Sequence, residues 1–211
     1  KYEKDGKDVY NKCLGCFKEL PLASIIAGSV YTAHGGLFRG QAPVPAERSK
    51  RRKTLKATVD SSPALSLGSL DDLVKARRTV MNPPWKGPNL VPGDVLWSDP
   101  SMSPGLSPNV DRGAGLLWGP DCTEAFLKQS KLKLIIRAHE GPDARKNRPG
   151  LGGMDAGYTI DHVVESGTLI TLFSAPDYPQ FQFWEFLSNV VTEILHVLSV
   201  CDGISSSEKL A

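Results

Sequence analysis

The 211 residues are 40% hydrophobic, 23% charged and 8% aromatic, enough apolar side chain for a core; at roughly 150 residues per domain the length suggests one domain, or one with a large insertion. Lys plus Arg number 25 and Asp plus Glu 23, for a net charge of +2, so no global field favours nucleic acid or an anionic membrane, and any anion binding must be local. Four cysteines with no hydrophobic signal segment behind the first residue argue against a secreted disulfide scaffold and for an intracellular, reducing setting. Glycine (20) and proline (16) make up about 17% of the chain, which describes a globular protein with many loops. The first residue, Lys1, lies in the middle of a charged helical pattern, so the chain reads as a piece of something longer.

From Asp5 to Leu20 the apolar residues Val9, Cys13, Cys16, Phe17 and Leu20 recur at spacings of three and four, which predicts a core-facing amphipathic helix ended by Pro21. Ile25-Ile26 and Val30 to Ala33 predict two short strands around a Gly-Ser turn, stopping at His34-Gly35-Gly36. Gly40 to Gly68 is expected to be a flexible insertion, rich in proline and carrying the basic cluster Arg48, Lys50, Arg51, Arg52, Lys53 and Lys56. Ser69-Leu70-Asp71-Asp72 has the form of a capping box and opens a short helix through Arg78, which Asn82-Pro83-Pro84 forbids from continuing.

Pro88 to Asn109 reads as loop around one strand, Asp94 to Trp97. Asp121 starts a helix ending near Ser130, and Leu132 to Arg137 is a buried-strand run that stops at His139. Gly141 to Gly157 is polar and glycine-rich; Tyr158 to Val164, Ser166-Gly167 and Thr168 to Phe173 read as a hairpin running into Ser174 to Tyr178. Beyond Phe181 the apolar positions 183, 186, 187, 190, 191, 194, 195 and 198 form a helical stripe. Glu185 and Glu193 within it argue against a membrane span, which needs ~20 mainly apolar residues, and for a partner-facing or core helix.

Two histidines, His34 and His139, thus close strands, where a rigid element fixes the imidazole for metal binding. Alone, a strand-end histidine is more often a hydrogen-bonded structural residue, and no spacing rule links positions a hundred apart; from the residues themselves the pair is a candidate metal site. Cys13-Leu14-Gly15-Cys16 lacks both the second nearby pair of a zinc site and the preceding strand of a redox motif, and is read as part of the helix core. No P-loop, Rossmann glycines or Gly-x-Ser-x-Gly elbow occurs, so nucleotide binding and serine hydrolysis carry little weight.

His34-Gly35-Gly36-Leu37, Val95-Leu96-Trp97-Ser98-Asp99-Pro100, Arg112-Gly113 with Trp118-Gly119-Pro120-Asp121, Ile136-Arg137-Ala138-His139-Glu140 and Phe173-Ser174-Ala175-Pro176-Asp177-Tyr178 follow in that order. Together they resemble the second half of the catalytic domain of the metal-dependent protein serine/threonine phosphatases, the PPP family, over about residues 8 to 182. The insertion after His34 and the stretch from Gly141 to His162 are most similar to that family's plant phosphatase 7 branch. The resemblance implies an α/β fold: a partial metallo-dependent phosphatase (calcineurin-like) β-sandwich with flanking helices, truncated at the N-terminal side. It also implies hydrolysis of phosphoserine and phosphothreonine in protein substrates at a site of two divalent ions (Mn, Fe or Zn), which acidify a shared water and neutralise phosphoryl oxygens. By motif, His34 and His139 would bind the second metal, Arg112 would fork onto the phosphate, Tyr178 would lie over the metals, and Trp97 and Asp99 would support the site from behind.

The family's Gly-Asp-x-His-Gly, Gly-Asp-x-x-Asp-Arg-Gly and Gly-Asn-His-Glu motifs do not occur in the chain; the resemblance implies that they lie upstream of Lys1, together with the first metal's ligands, the bridging aspartate and the leaving-group histidine. Two metal ligands and one arginine are left, and residues 183–211 diverge into the amphipathic helix and a polar tail. Two readings follow: a portion of a phosphatase, or a truncated non-catalytic relative acting as a binding or regulatory module. The basic run from Arg48 to Lys56 suits calmodulin, a nuclear import factor or a solvated loop, and the resemblance favours a nuclear or cytoplasmic location with neither nucleic acid nor membrane as partner.

Overall fold

Three short apolar runs supply the parallel centre of the main sheet. The computed structural model describes residues 3–41, 65–76, 85, 87–173, 177–178 and 181–182. Helix α1 (Glu3–Glu19) leads into strands β1 (Ala23–Ile26) and β2 (Val30–Ala33). Beyond residue 64 come α2 (Leu70–Lys75), α3 (Leu90–Trp97), β3 (Asp99–Pro100), β4 (Leu106–Pro108), β5 (Leu116–Trp118), α4 (Pro120–Ser130) and β6 (Leu134–Arg137). The chain continues through α5 (Pro142–Arg145), β7 (Tyr158–Val164), β8 (Gly167–Leu172), β9 (Asp177–Tyr178) and β10 (Phe181–Gln182).

The main sheet runs β1-β2-β6-β8-β7. Strands β2, β6 and β8 are parallel, with Tyr31 opposite Ile135 and Ile135 opposite Leu169, so these three side chains share one face. That face packs with Leu37, Phe38, Val91, Val95, Trp118, Phe126 and Leu127 into the principal core. On the opposite face Val30, Leu134 and Ile170 form a smaller cluster. Burial on both faces explains why β6 is an unbroken apolar run rather than an alternating one. A second sheet, β3-β5-β4, brings Trp118 to the core, and β9 pairs with β10.

Several sequence expectations hold. The Ser69 capping box forms, with Ser69 and Asp72 bonding to each other's backbone N–H; the helix ends at Lys75 rather than Arg78. Strand β7 pairs with β8 as the expected hairpin, with a bulge between Ile160 and His162 that turns both Asp161 and His162 inward. Gly40 N donates to Ser66 O at 2.8 Å and Gly68 N to Phe38 O at 2.8 Å, so both ends of the expected insertion are paired; its basic cluster, like the helical stripe after residue 182, lies outside the described residues.

Two expectations fail. Asp94 to Trp97 is the last turn of helix α3, not a strand. An aspartate followed by three apolar residues is too short a run to distinguish the two by period, and Pro92 falls where its missing N–H is an unpaired helix donor anyway. Helix α1 does not face the core: Val9 is 61% exposed and Phe17 62% exposed, and Cys13 and Cys16 are exposed thiols. Its periodicity is amphipathic, but none of the described elements covers the apolar stripe. The helix-core reading of Cys13 and Cys16 is therefore corrected.

Candidate functional site

His34 follows β2 immediately and His139 stands two residues beyond β6, so the parallel pairing of these strands carries both imidazoles past the same carboxyl edge, where open α/β sheets place their ligands. His139 Nδ1 lies 3.1 Å from His34 Nε2, and the rings meet edge to face with centroids 4.9 Å apart. The glycines after His34 make this approach feasible. A Cβ on Gly35 would sit 2.7 Å from the Leu96 carbonyl carbon, and one on Gly36, at φ +141°, 2.3 Å from the Trp118 ring; only bare backbone passes between α3 and Trp118. Gly35 N and Gly36 N both donate to the Val95 carbonyl, at 2.7 and 3.1 Å, so the loop is tied to α3. Trp97, at the end of that helix, packs its ring against His139 with centroids 5.4 Å apart.

Beside the histidines is a buried ionic centre. The Asp99 carboxylate, wholly buried, accepts from Arg137 Nη2 at 2.8 Å, Arg148 Nη2 at 2.6 Å and Asn109 Nδ2 at 2.8 Å. Arg112 adds a close Nε contact and a longer Nη2 contact of 3.3 Å. Arg137 is fully buried in the same network, donating also to the Gly35 and Ser98 carbonyls and to Glu140 Oε2 at 2.8 Å. Glu140 in turn accepts from Arg148 Nε at 2.9 Å and pairs with Arg145 at 2.9 Å, while Arg145 forks onto Asp161 at 2.5 and 2.8 Å. The β7 bulge is what aims Asp161 at that arginine.

These surroundings set the protonation states. Burial, followed by the positive charges of Arg137 and Arg112, holds His34 below its ordinary pKa. His139 is pushed down to about 3, mainly by burial; both rings are neutral at pH 7. Burial disfavours the charge of Asp99, but the Arg112 hydrogen bond and the guanidiniums of Arg137, Arg112 and Arg148 outweigh it and hold its carboxyl below the usual range.

Neutral imidazoles are the form that binds a metal. One ring must donate in the His139–His34 contact, and whichever does, His139 Nε2 remains buried with no hydrogen-bond partner, an orphaned atom of the kind that fits a metal ligand. The donor set stops there: among the described residues no group of three His, Cys, Asp or Glu is placed to hold a metal ion.

The structure therefore brings together His34, His139, Trp97, Asp99 and Arg112; for Tyr178 it describes the backbone in β9 and not the side chain. Sequence reasoning missed Arg145, Arg148, Glu140 and Asp161. A charged residue at the end of a buried strand (Arg137) and two arginines three apart in a polar loop were the available signals.

The model of the calcineurin-like phosphoesterase family matches residues 1–143. Serine/threonine-protein phosphatase 7 of Arabidopsis thaliana is 68% identical over 188 residues, covering 88% of this chain and 45% of that protein. Serine/threonine-protein phosphatase 5 of the same plant is 33% identical over 77% of this chain and 22% of its own length. A solved protein serine/threonine phosphatase from Saccharomyces cerevisiae, with similarity to human phosphatase PP5, superposes with a TM-score of 0.52 at 26% identity, covering 84% of this chain and 41% of that one. The chain thus spans less than half the length of these relatives. Family model, relatives and fold agree: this chain belongs to the calcineurin-like phosphoesterase family, and its relatives are named protein serine/threonine phosphatases.

Proposed function

We propose that the chain supplies the second-metal imidazoles and a phosphate-binding arginine to the active centre of a protein serine/threonine phosphatase acting on phosphoserine and phosphothreonine. The observation that carries this reading is the meeting of His34 and His139 at 3.1 Å beside Arg112, which is held on Asp99. His34 and His139 Nε2 would hold a divalent ion (Mn, Fe or Zn), which when bound acidifies water and withdraws charge from the phosphoryl group. The chain's own residues orient: Arg112 offers planar N–H donors to phosphoryl oxygens, Asp99 fixes that guanidinium, and Trp97 shields the His139 ring from water. Tyr178 would close over the site from β9. Residues 1–182 form the catalytic portion in this reading and 183–211 a divergent helical tail. The basic run from Arg48 to Lys56 is assigned to an acidic partner, calmodulin or a nuclear import factor, which accords with a nuclear or cytoplasmic location.

A second reading, a non-catalytic binding module, is favoured by one observation: among the described residues the donor set is two imidazoles, too few for two metals. Hydrolysis of a phosphothreonine peptide by the purified chain with added manganese separates the two. Turnover that disappears in Arg112→Ala supports the phosphatase reading, whereas peptide binding without turnover supports the module.

A further inference from the structure

Asp99 is oversubscribed. A carboxylate offers about four lone-pair positions, yet Asn109 Nδ2, Arg137 Nη2, Arg148 Nη2 and two Arg112 nitrogens all converge on it. The Arg112 Nη2 contact is the longest of these at 3.3 Å, and the Arg112 side chain is the most exposed of the cluster's guanidiniums at 23%, against 15% for Arg148, 1% for Arg145 and 0% for Arg137. The charges do not balance either. Arg112, Arg137, Arg145 and Arg148 face three carboxylates, Asp99, Glu140 and Asp161, so among the described residues one positive charge is left over. An anion arriving from solvent would meet that surplus on the exposed side of the cluster.

We propose that Arg148 is a positioning residue for Arg112, acting through Asp99: by sharing Asp99 Oδ2 with Arg112 Nε and supplying the surplus charge, it offsets the pull of Asp99 on the Arg112 Nη groups, so that the guanidinium stays anchored at Nε with its Nη groups available to a phosphoryl group. The proposal rests on the reading of Arg112 as the phosphate ligand. Arg148 reaches the centre from the segment after α5, where Glu140 holds its Nε at 2.9 Å, so the loop that separates β6 from β7 tunes the site. With Arg148 removed, the four remaining donors match the four positions of Asp99, and the Arg112 Nη2 group is drawn more firmly onto it.

Calorimetric titration of the chain with inorganic phosphate tests this. Arg148→Gln leaves three guanidiniums facing three carboxylates, a neutral cluster that should fold. It is expected to weaken phosphate binding about tenfold, the coupling of contacting charged groups, while Arg148→Lys, which keeps the charge, restores affinity to within about threefold. A merely structural role would instead make both variants lose affinity in step with their thermal midpoints. Wild-type phosphate affinity in a folded Arg148→Gln chain, with Arg112→Ala still abolishing binding, overturns the proposal and leaves the reading of Arg112 standing; wild-type affinity in Arg112→Ala overturns that reading itself. Should Arg148→Gln show no thermal transition, Arg148→Met, which keeps the apolar stem, makes the same removal.

Discussion

The Asp99 centre and helix α1 dispose of their side chains in opposite ways. Around Asp99, charged groups that belong in water by type are buried and partnered; along α1, Val9 and Phe17, which belong inside by type, stand exposed. Stability at a position follows from the partners it has rather than from its polarity, so here an aspartate should matter far more than a phenylalanine. Asp99→Asn is the strongest way to break that comparison. It leaves three guanidiniums around a neutral amide, and removing one partner of a buried ionic cluster costs about 3–5 kcal/mol. Urea unfolding should show a midpoint lowered by that energy divided by the m-value; a midpoint equal to that of the unaltered chain would remove the Asp99 centre from any account of stability.

A smaller effect sharpens the buried side of the comparison through pH. His162, turned inward by the β7 bulge, lies with Nδ1 2.7 Å from Thr123 Oγ1 and Nε2 3.0 Å from the Ser101 carbonyl. An acceptor-only carbonyl requires the proton on Nε2, so Nδ1 accepts from Thr123, whose oxygen accepts from Trp118 Nε1 at 3.2 Å. The neutral ring satisfies every partner, and burial lowers its pKa from the ordinary 6.5. The unfolded chain therefore binds this proton more readily, and the contribution is present above about pH 6.5 and lost as pH falls below it. The urea midpoint is expected to drop between pH 7.5 and 5.5, a slope to which His34 and His139, also held low, contribute, and His162→Gln, which keeps one donor and one acceptor, should make it shallower by the share of His162. An unchanged slope would place the titration elsewhere.

What the residues revealed in advance follows the range of the forces involved. The core strand β6, the β7–β8 hairpin, helix α4 and the Ser69 cap were legible because period, turn residues and capping chemistry act over a few positions. Helix α3 was misread because a short buried run has no period to read. The exposure of α1 was illegible for another reason: periodicity states that one face is apolar, not what covers it. At the site, His34 and His139 were placed together by family motifs and not by spacing, since 105 positions separate them. Arg148 was passed over because its meaning lies in Asp99 and Glu140, 49 and 8 residues away, within a loop that local pattern describes only as polar.

The smallest expected effect lies on α1. Phe17 is 62% exposed, so Phe17→Ser removes little packing and should leave the unfolding free energy within about 0.5 kcal/mol, the range of surface substitutions. Its consequence should appear instead in association. Val9 and Phe17 on α1 and Leu20 just after it, with Ile25 and Ile26 on the edge strand β1, are exposed apolar residues. Exposed apolar surface favours self-contact, and an edge strand offers unpaired backbone groups beside it. Light scattering across a concentration series should therefore show a larger mean mass for the unaltered chain than for Phe17→Ser at equal stability. A substitution that instead cost several kcal/mol with no change in mass would mean that α1 is packed in solution, and the contrast with the Asp99 centre would collapse into one ordinary core.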